Sequence, residues 1–165
     1  MDIKKTADLL IHFTIKRLAE IFGIVIFCSG VLLLLALITY SPEDPNFIFP
    51  ENTIIKNILG FQGSVISDLF FQSIGLISYM FSVTLIVTGI NIFRIKEFFL
   101  IFENLFFTTL YSIFGASFLS YFFSNAFTLY INGNGGFVGT YLNQTFIKSL
   151  ILFNETMAYY LLIII

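Results

Sequence analysis

Four stretches of the chain are almost wholly apolar, and charged, proline-rich or glycine-rich segments separate them. The first, Leu18 to Tyr40, carries a single charge, Glu20, near its start. At ~1.5 Å per residue, a helix of that length crosses a hydrocarbon core of ~30 Å. A second stretch runs from Leu69 to Phe93 without a charge, a third from Phe98 to Phe123, and a fourth from about Ser149 to Ile165. Hydrocarbon offers backbone amides and carbonyls no partner, so each stretch is predicted to be helical. The expected fold is an all-α integral membrane protein with four transmembrane helices arranged as two hairpins.

The segments between them read as connections. Ser41 to Asn57 collects Pro42, Pro45 and Pro50 with Glu43, Asp44 and Glu51, a composition that stops helices and calls for water. Arg94 to Glu97 leaves room only for a hairpin turn. Lys4, Lys5, Lys16, Arg17, Arg94 and Lys96 fall on one side of this arrangement, and only Lys56 and Lys148 on the other. Basic residues flanking short loops stay in the cytoplasm. Residues 1–17 are therefore expected to be a cytoplasmic basic segment, with outer loops at about 41–68 and 124–148. The fourth stretch is short for a crossing and ends in Ile163, Ile164 and Ile165 without an interfacial anchor, which implies a truncated fourth helix whose continuation would emerge in the cytoplasm.

One motif recurs. Gly60-Phe61-Gln62-Gly63-Ser64 returns as Gly136-Phe137-Val138-Gly139-Thr140, and Ser73-Ile74 returns as Ser149-Leu150 at the same offset. Such a parallel repeat fits duplication of a helical hairpin, its glycines allowing tight turns or close helix approach.

Composition supports lipid as the solvent. Hydrophobic residues make up 58% of the chain and charged residues 11%, against ~25% charged in a soluble domain. The net charge of -2 and the scattered Lys and Arg argue against a nucleic-acid surface here. The apolar run after Arg17 is too long for a cleavable signal peptide, and bulky Ile26 and Phe27 argue against Cys28 as a lipid-attachment site. A lone cysteine forms no intramolecular disulfide, and Cys28 is expected to be a buried, inert thiol.

Candidate chemistry is sparse. Glu20 and Glu103 lie near the inner ends of their stretches, Asp68 and Glu155 near the outer ends, and none at mid-bilayer. They are expected to be interfacial or helix-start charges, with a proton relay centred on Glu103 as the alternative. His12 lacks a His or Cys at ligand spacing, and its segment is expected to lie on the inner leaflet. The phosphate loop, the HExxH helix and the GxSxG elbow are missing from the sequence, so the chain itself is not expected to be an enzyme and needs no cofactor or metal. Asn143-Gln144-Thr145 matches a glycosylation triplet, which matters only in a secretory pathway.

The segment Thr39-Tyr40-Ser41-Pro42-Glu43-Asp44-Pro45-Asn46-Phe47 resembles a signature of the amino-terminal four-helix membrane domain of the FtsK/SpoIIIE DNA translocases. A second match runs from Asn57 through Gly60, Gly63, Asp68 and Gly75, and the glycine-rich site at 133–139, with Gly136 and Gly139, resembles the family's approach to its fourth helix. The resemblance implies structural roles for Tyr40, Pro42, Asp44, Pro45, Gly60, Gly63, Asp68, Gly75, Gly136 and Gly139. It further implies a multi-pass domain of the bacterial inner membrane, located at the division septum and anchoring a DNA translocase that acts in cell division and chromosome segregation. Its partners would be the bilayer, further copies of itself and division-site membrane proteins. DNA, ATP and Mg would be met only by a cytoplasmic linker and motor domain absent from these residues. A small transporter or channel subunit, or a structural accessory subunit of a membrane complex, are the alternatives.

Overall fold

Residues 3–46, 54–124 and 131–164 are described in the computed structural model, and among them every regular element is helical. Phe47, Pro50, Glu51 and Ile165, named above, lie outside the described residues. The elements are α1 (Ile3–Ile38), α2 (Gly60–Ile74), a 3-10 turn (Gly75–Ile77), α3 (Ser78–Ile95), α4 (Leu100–Phe122), α5 (Gly136–Leu142), a π-helical turn (Asn143–Ile147), α6 (Lys148–Phe153) and α7 (Glu155–Ile164). Among the described residues, three helices are long and apolar enough to cross a membrane: Asp8–Ile38, Ile77–Ile95 and Leu100–Phe122.

The central packing joins α1 to α3. Along α1 the buried positions Ala19, Gly23, Ile26, Gly30, Leu33 and Leu37 recur at alternating steps of four and three, the spacing of a seam between two nearly parallel axes. Its small members bring the backbones together. A methyl group on Gly89 would lie 2.4 Å from the amide nitrogen of Phe27, and one on Gly23 would lie 2.7 Å from that of Phe93. Where lipid supplies no hydrophobic drive between helices, such close approach supplies the dispersion energy that holds them. α3 continues into a tight turn through Lys96, whose left-handed backbone (φ 64°) lets its amide cap Ile92 O at 2.8 Å.

α4 packs on α3 through polar pairs. Asn104 Nδ2 donates to Thr88 Oγ1 at 3.0 Å, and Thr84 Oγ1 meets the Tyr111 hydroxyl at 2.6 Å. Its buried stripe is Thr108, Ser112, Ala116, Ser117 and Ser120, while Phe106, Phe107, Phe114 and Phe118 face outward. Polar inside and aromatic outside is the polarity expected of a helix solvated by hydrocarbon.

Four expectations need correction. The apolar run 69–93 is not one helix. It breaks at Gly75, whose φ of 62° and ψ of -141° suit only glycine, and α3 begins at Ser78. Much of the segment read as the outer loop 41–68 is helical, because α2 begins at Gly60. The run from Ser149 is also interrupted. Asn154 is extended (φ -161°, ψ 107°) and its Oδ1 accepts the Met157 amide at 3.1 Å, so Asn154 caps the start of α7. Cys28 is exposed on the outward side of α1 rather than buried.

Candidate functional site

The polar residues of this apolar chain converge at the end of α1 opposite Lys96. Asp44 is buried, and its two oxygens accept the backbone amides of Lys56 and Asn57, each at 2.8 Å. One carboxylate thus closes the loop between α1 and α2. Asn57, also buried, donates from Nδ2 to Ala36 O at 2.9 Å and accepts the Leu59 amide at Oδ1 (3.1 Å), tying the loop to the last turn of α1. Gly63 leaves room for this amide, since a methyl there would stand 2.2 Å from Asn57 Oδ1. Ser64 Oγ donates to Pro45 O at 2.6 Å.

Asp68 occupies the other side of the loop. Its Oδ1 accepts the Tyr40 hydroxyl at 3.0 Å and its Oδ2 accepts Asn46 Nδ2 at 3.1 Å. The Tyr40 ring tilts against Phe71 with 4.9 Å between centroids, Phe71 meets Tyr79 edge-on at 5.4 Å, and the Tyr79 hydroxyl donates to Leu37 O at 3.2 Å. Hydrogen bonds and tilted, edge-on ring contacts together clamp α2 across the end of α1. Pro42 is exposed in the turn before Asp44, and an exposed ion pair joins Lys56 to Glu43. That contact holds the Glu43 carboxyl below its ordinary pKa and raises the Lys56 ammonium above its own.

The second glycine site meets the first. Gly75 and Gly136 both have positive φ and lie back to back: a methyl on Gly75 would stand 1.9 Å from Asn134 O, and one on Gly136 2.6 Å from Gly75 N. Leu76 donates to Asn134 O at 2.9 Å, and Asn132 Nδ2 donates to Gln72 O at 3.3 Å. Gly139 backs onto α4, 2.2 Å separating its would-be methyl from Ala116 O. The ten signature positions thus form one cap at one end of the helices, with Pro42 and Gly60 at its exposed edge.

A family model described as the 4TM region of DNA translocase FtsK/SpoIIIE matches residues 15–165. The chain belongs to this family. Among curated proteins, the DNA translocase FtsK of Rhizobium meliloti (strain 1021) is 32% identical over 78 residues, which are 47% of this chain and 9% of that protein. The DNA translocase FtsK of Caulobacter vibrioides (strain ATCC 19089 / CIP 103742 / CB 15) is 35% identical over 73 residues, 44% of this chain and 9% of that protein. The matched stretch is thus a small part of each relative's length. No solved structure matches.

The other FtsK-domain candidates are scattered. Glu20 lies at the opposite end, where it accepts hydrogen bonds from Arg17 Nη1 (2.5 Å) and Lys96 Nζ (2.6 Å) and ties α1 to the α3–α4 turn. Glu103 and Glu155 are exposed in the first turns of α4 and α7. His12 is exposed on α1, and no group of three or more metal-ligating side chains forms among the described residues. Asn143 donates to Ser120 O at 3.3 Å and is occupied in packing. Asn57 is not among the ten signature positions, and Gly23, Gly30 and Gly89 lie outside the signature segments. Ala19-x-x-x-Gly23 and the seven-residue step from Gly23 to Gly30 carry the spacing signal of a close helix seam.

Proposed function

We propose that this FtsK-type domain anchors a DNA translocase in the bacterial inner membrane at the division septum, serving cell division and chromosome segregation. The match to the 4TM region over residues 15–165 carries the reading. The geometry supports it, because the family-signature residues build a packing device at one end of the helices. A motor that pulls on DNA needs a reaction point, and several helices resist extraction better than one because each buries its own apolar area.

In this reading α1, α3 and α4 are three of four spans, and α7 opens the fourth at Glu155, where its cap at Asn154 parallels the start of α3 at Ser78. The end holding Arg17, Arg94 and Lys96 faces the cytoplasm, and the polar cap faces outward. The bilayer, further copies of the chain and division-site membrane proteins are its partners. DNA, ATP and Mg belong to a cytoplasmic motor connected to it. A fluorescent fusion of the 165-residue chain, imaged in dividing cells of its host, tests the septal role. Accumulation at the constriction is expected, and an even distribution around the cell membrane would overturn it.

A further inference from the structure

α2 carries its polarity the wrong way round for a helix at a water surface. It buries Gly63, Ser64, Ser67 and Phe71 and half-buries Asp68. Its exposed residues are Phe61, Gln62, Ile66 and Leu69, the three apolar ones 45%, 43% and 62% exposed and Gln62 in the first turn. Every buried hydroxyl on this face has a partner: Ser64 Oγ donates to Pro45 O, and Ser67 Oγ donates to Ser64 O at 3.0 Å. A helix with satisfied polar groups inside and, beyond its first turn, bare apolar groups outside suits hydrocarbon.

The depth of α2 follows from α1. Glu20, tied to Arg17 and Lys96, marks the cytoplasmic boundary. A helix rising ~1.5 Å per residue crosses a core of ~30 Å in about 20 residues, which puts the outer boundary near Thr39. α2 and the turn before it touch α1 below that level. Asn57 reaches Ala36 O, and Phe71 packs on Leu33 and Leu37, with Leu33 ~9 Å short of Thr39 along the axis. The outward surface of α2 also continues into that of the spans. Phe70 and Ile74 share an open groove of about 310 Å³ with Phe81 of α3 and Ile113 of α4.

We propose that α2 is embedded in the outer leaflet, with Phe61, Ile66 and Leu69 against lipid acyl chains, instead of standing in the outer aqueous space. The proposal rests on the reading of α1, α3 and α4 as spans. It places the carboxylate of Asp68 at the membrane boundary, served by Tyr40 and Asn46, and leaves Pro42 and Glu43 facing water.

The chain contains no tryptophan, so one introduced indole reports its own surroundings. Phe61→Trp and Leu69→Trp, each at an exposed position, are reconstituted in phosphatidylcholine vesicles whose acyl chains carry bromine. Phe106→Trp, on the outward face of α4, serves as the reference for a span. The expected result is loss of most emission for all three variants in brominated vesicles, with no loss to aqueous iodide. Quenching of the α2 variants by iodide and not by bromine would put α2 in water and overturn the proposal. Quenching by neither would place a second copy of the chain on this face and overturn it equally. Failure of bromine to quench Phe106→Trp would overturn the span reading and this proposal together.

Discussion

Asp44 shows how much of the cap depends on single groups. Its two oxygens satisfy the backbone amides of Lys56 and Asn57. Each amide left unpaired in a buried site costs about 1–3 kcal/mol. Asp44→Ala is therefore expected to lower the melting temperature in detergent sharply, with Asp44→Asn intermediate because one acceptor oxygen remains. The glycines divide by cause. Gly60 (φ 66°) has nothing within 4 Å of a would-be methyl, so Gly60→Ala carries only the left-handed backbone penalty of about 1–2 kcal/mol. Gly63→Ala strikes Asn57, and Gly75→Ala combines positive φ with a strike on Asn134 O. The expected order of destabilisation, read from melting temperatures, is Gly75→Ala, then Gly63→Ala, then Gly60→Ala. The exposed pair of Glu43 and Lys56 sets a small pH dependence. Because Glu43 is lowered from 4.5, its contribution is present above that value and is lost as pH falls through the lowered one. Because Lys56 is raised from 10.5, its contribution is present below that value and is lost as pH rises through the raised one. Both groups are solvent-exposed, so melting curves of the parent and Glu43→Gln should differ only slightly at neutral pH and should converge in high salt. The motif spacing made the signature positions legible. The hydrogen bonds that join Asp44 to Asn57, and Tyr40 to Asp68, depend on a fold that brings loop residues many positions apart into contact, which no local pattern records.

At the scale of elements, the seam between α1 and α3 is the strongest packing unit. Gly89→Ala is expected to force these backbones apart, since its methyl would stand 2.4 Å from Phe27 N. Overpacking of this kind costs about 1–3 kcal/mol. Val87→Ala, on the exposed side of the same helix, is expected to stay within about 0.5 kcal/mol of the parent. Guanidinium or thermal unfolding in detergent compares the two. The long apolar runs made α1 and α4 legible, because length and composition alone require a helix in lipid. α2 was not legible. Its Gly, Ser and Asp positions read as a loop when polar residues are taken as water-facing, whereas here they face protein. The break at Gly75 was hidden for a related reason: apolarity continues through it, and only the backbone geometry of that glycine ends the helix.

The whole molecule is built from two units 76 positions apart. In each, a long helix (α1 or α4) is followed by a short one (α2 or α5) opening on a glycine of positive φ, and the same turn precedes it: Gly60 donates to Asn57 O at 2.9 Å and Gly136 to Gly133 O at 3.1 Å. Ser64 and Thr140 occupy equivalent places and both donate to a carbonyl of the preceding loop. The repeat seen in the sequence is thus a repeat of structure, and the units meet where Gly75 touches Asn134 and Gly136. Charge completes the arrangement, with the Arg17–Glu20–Lys96 cluster at one end and the polar cap at the other. The account as a whole requires that these two ends lie on opposite sides of a membrane. The direct measurement uses Cys28→Ser as background and single cysteines at Glu43 and Glu97, labelled in intact cells by a membrane-impermeant maleimide. Labelling of Glu43→Cys in intact cells, with Glu97→Cys labelled only after permeabilisation, is the predicted result. Labelling of both before permeabilisation, or of Glu97→Cys alone, would contradict the anchor and its orientation.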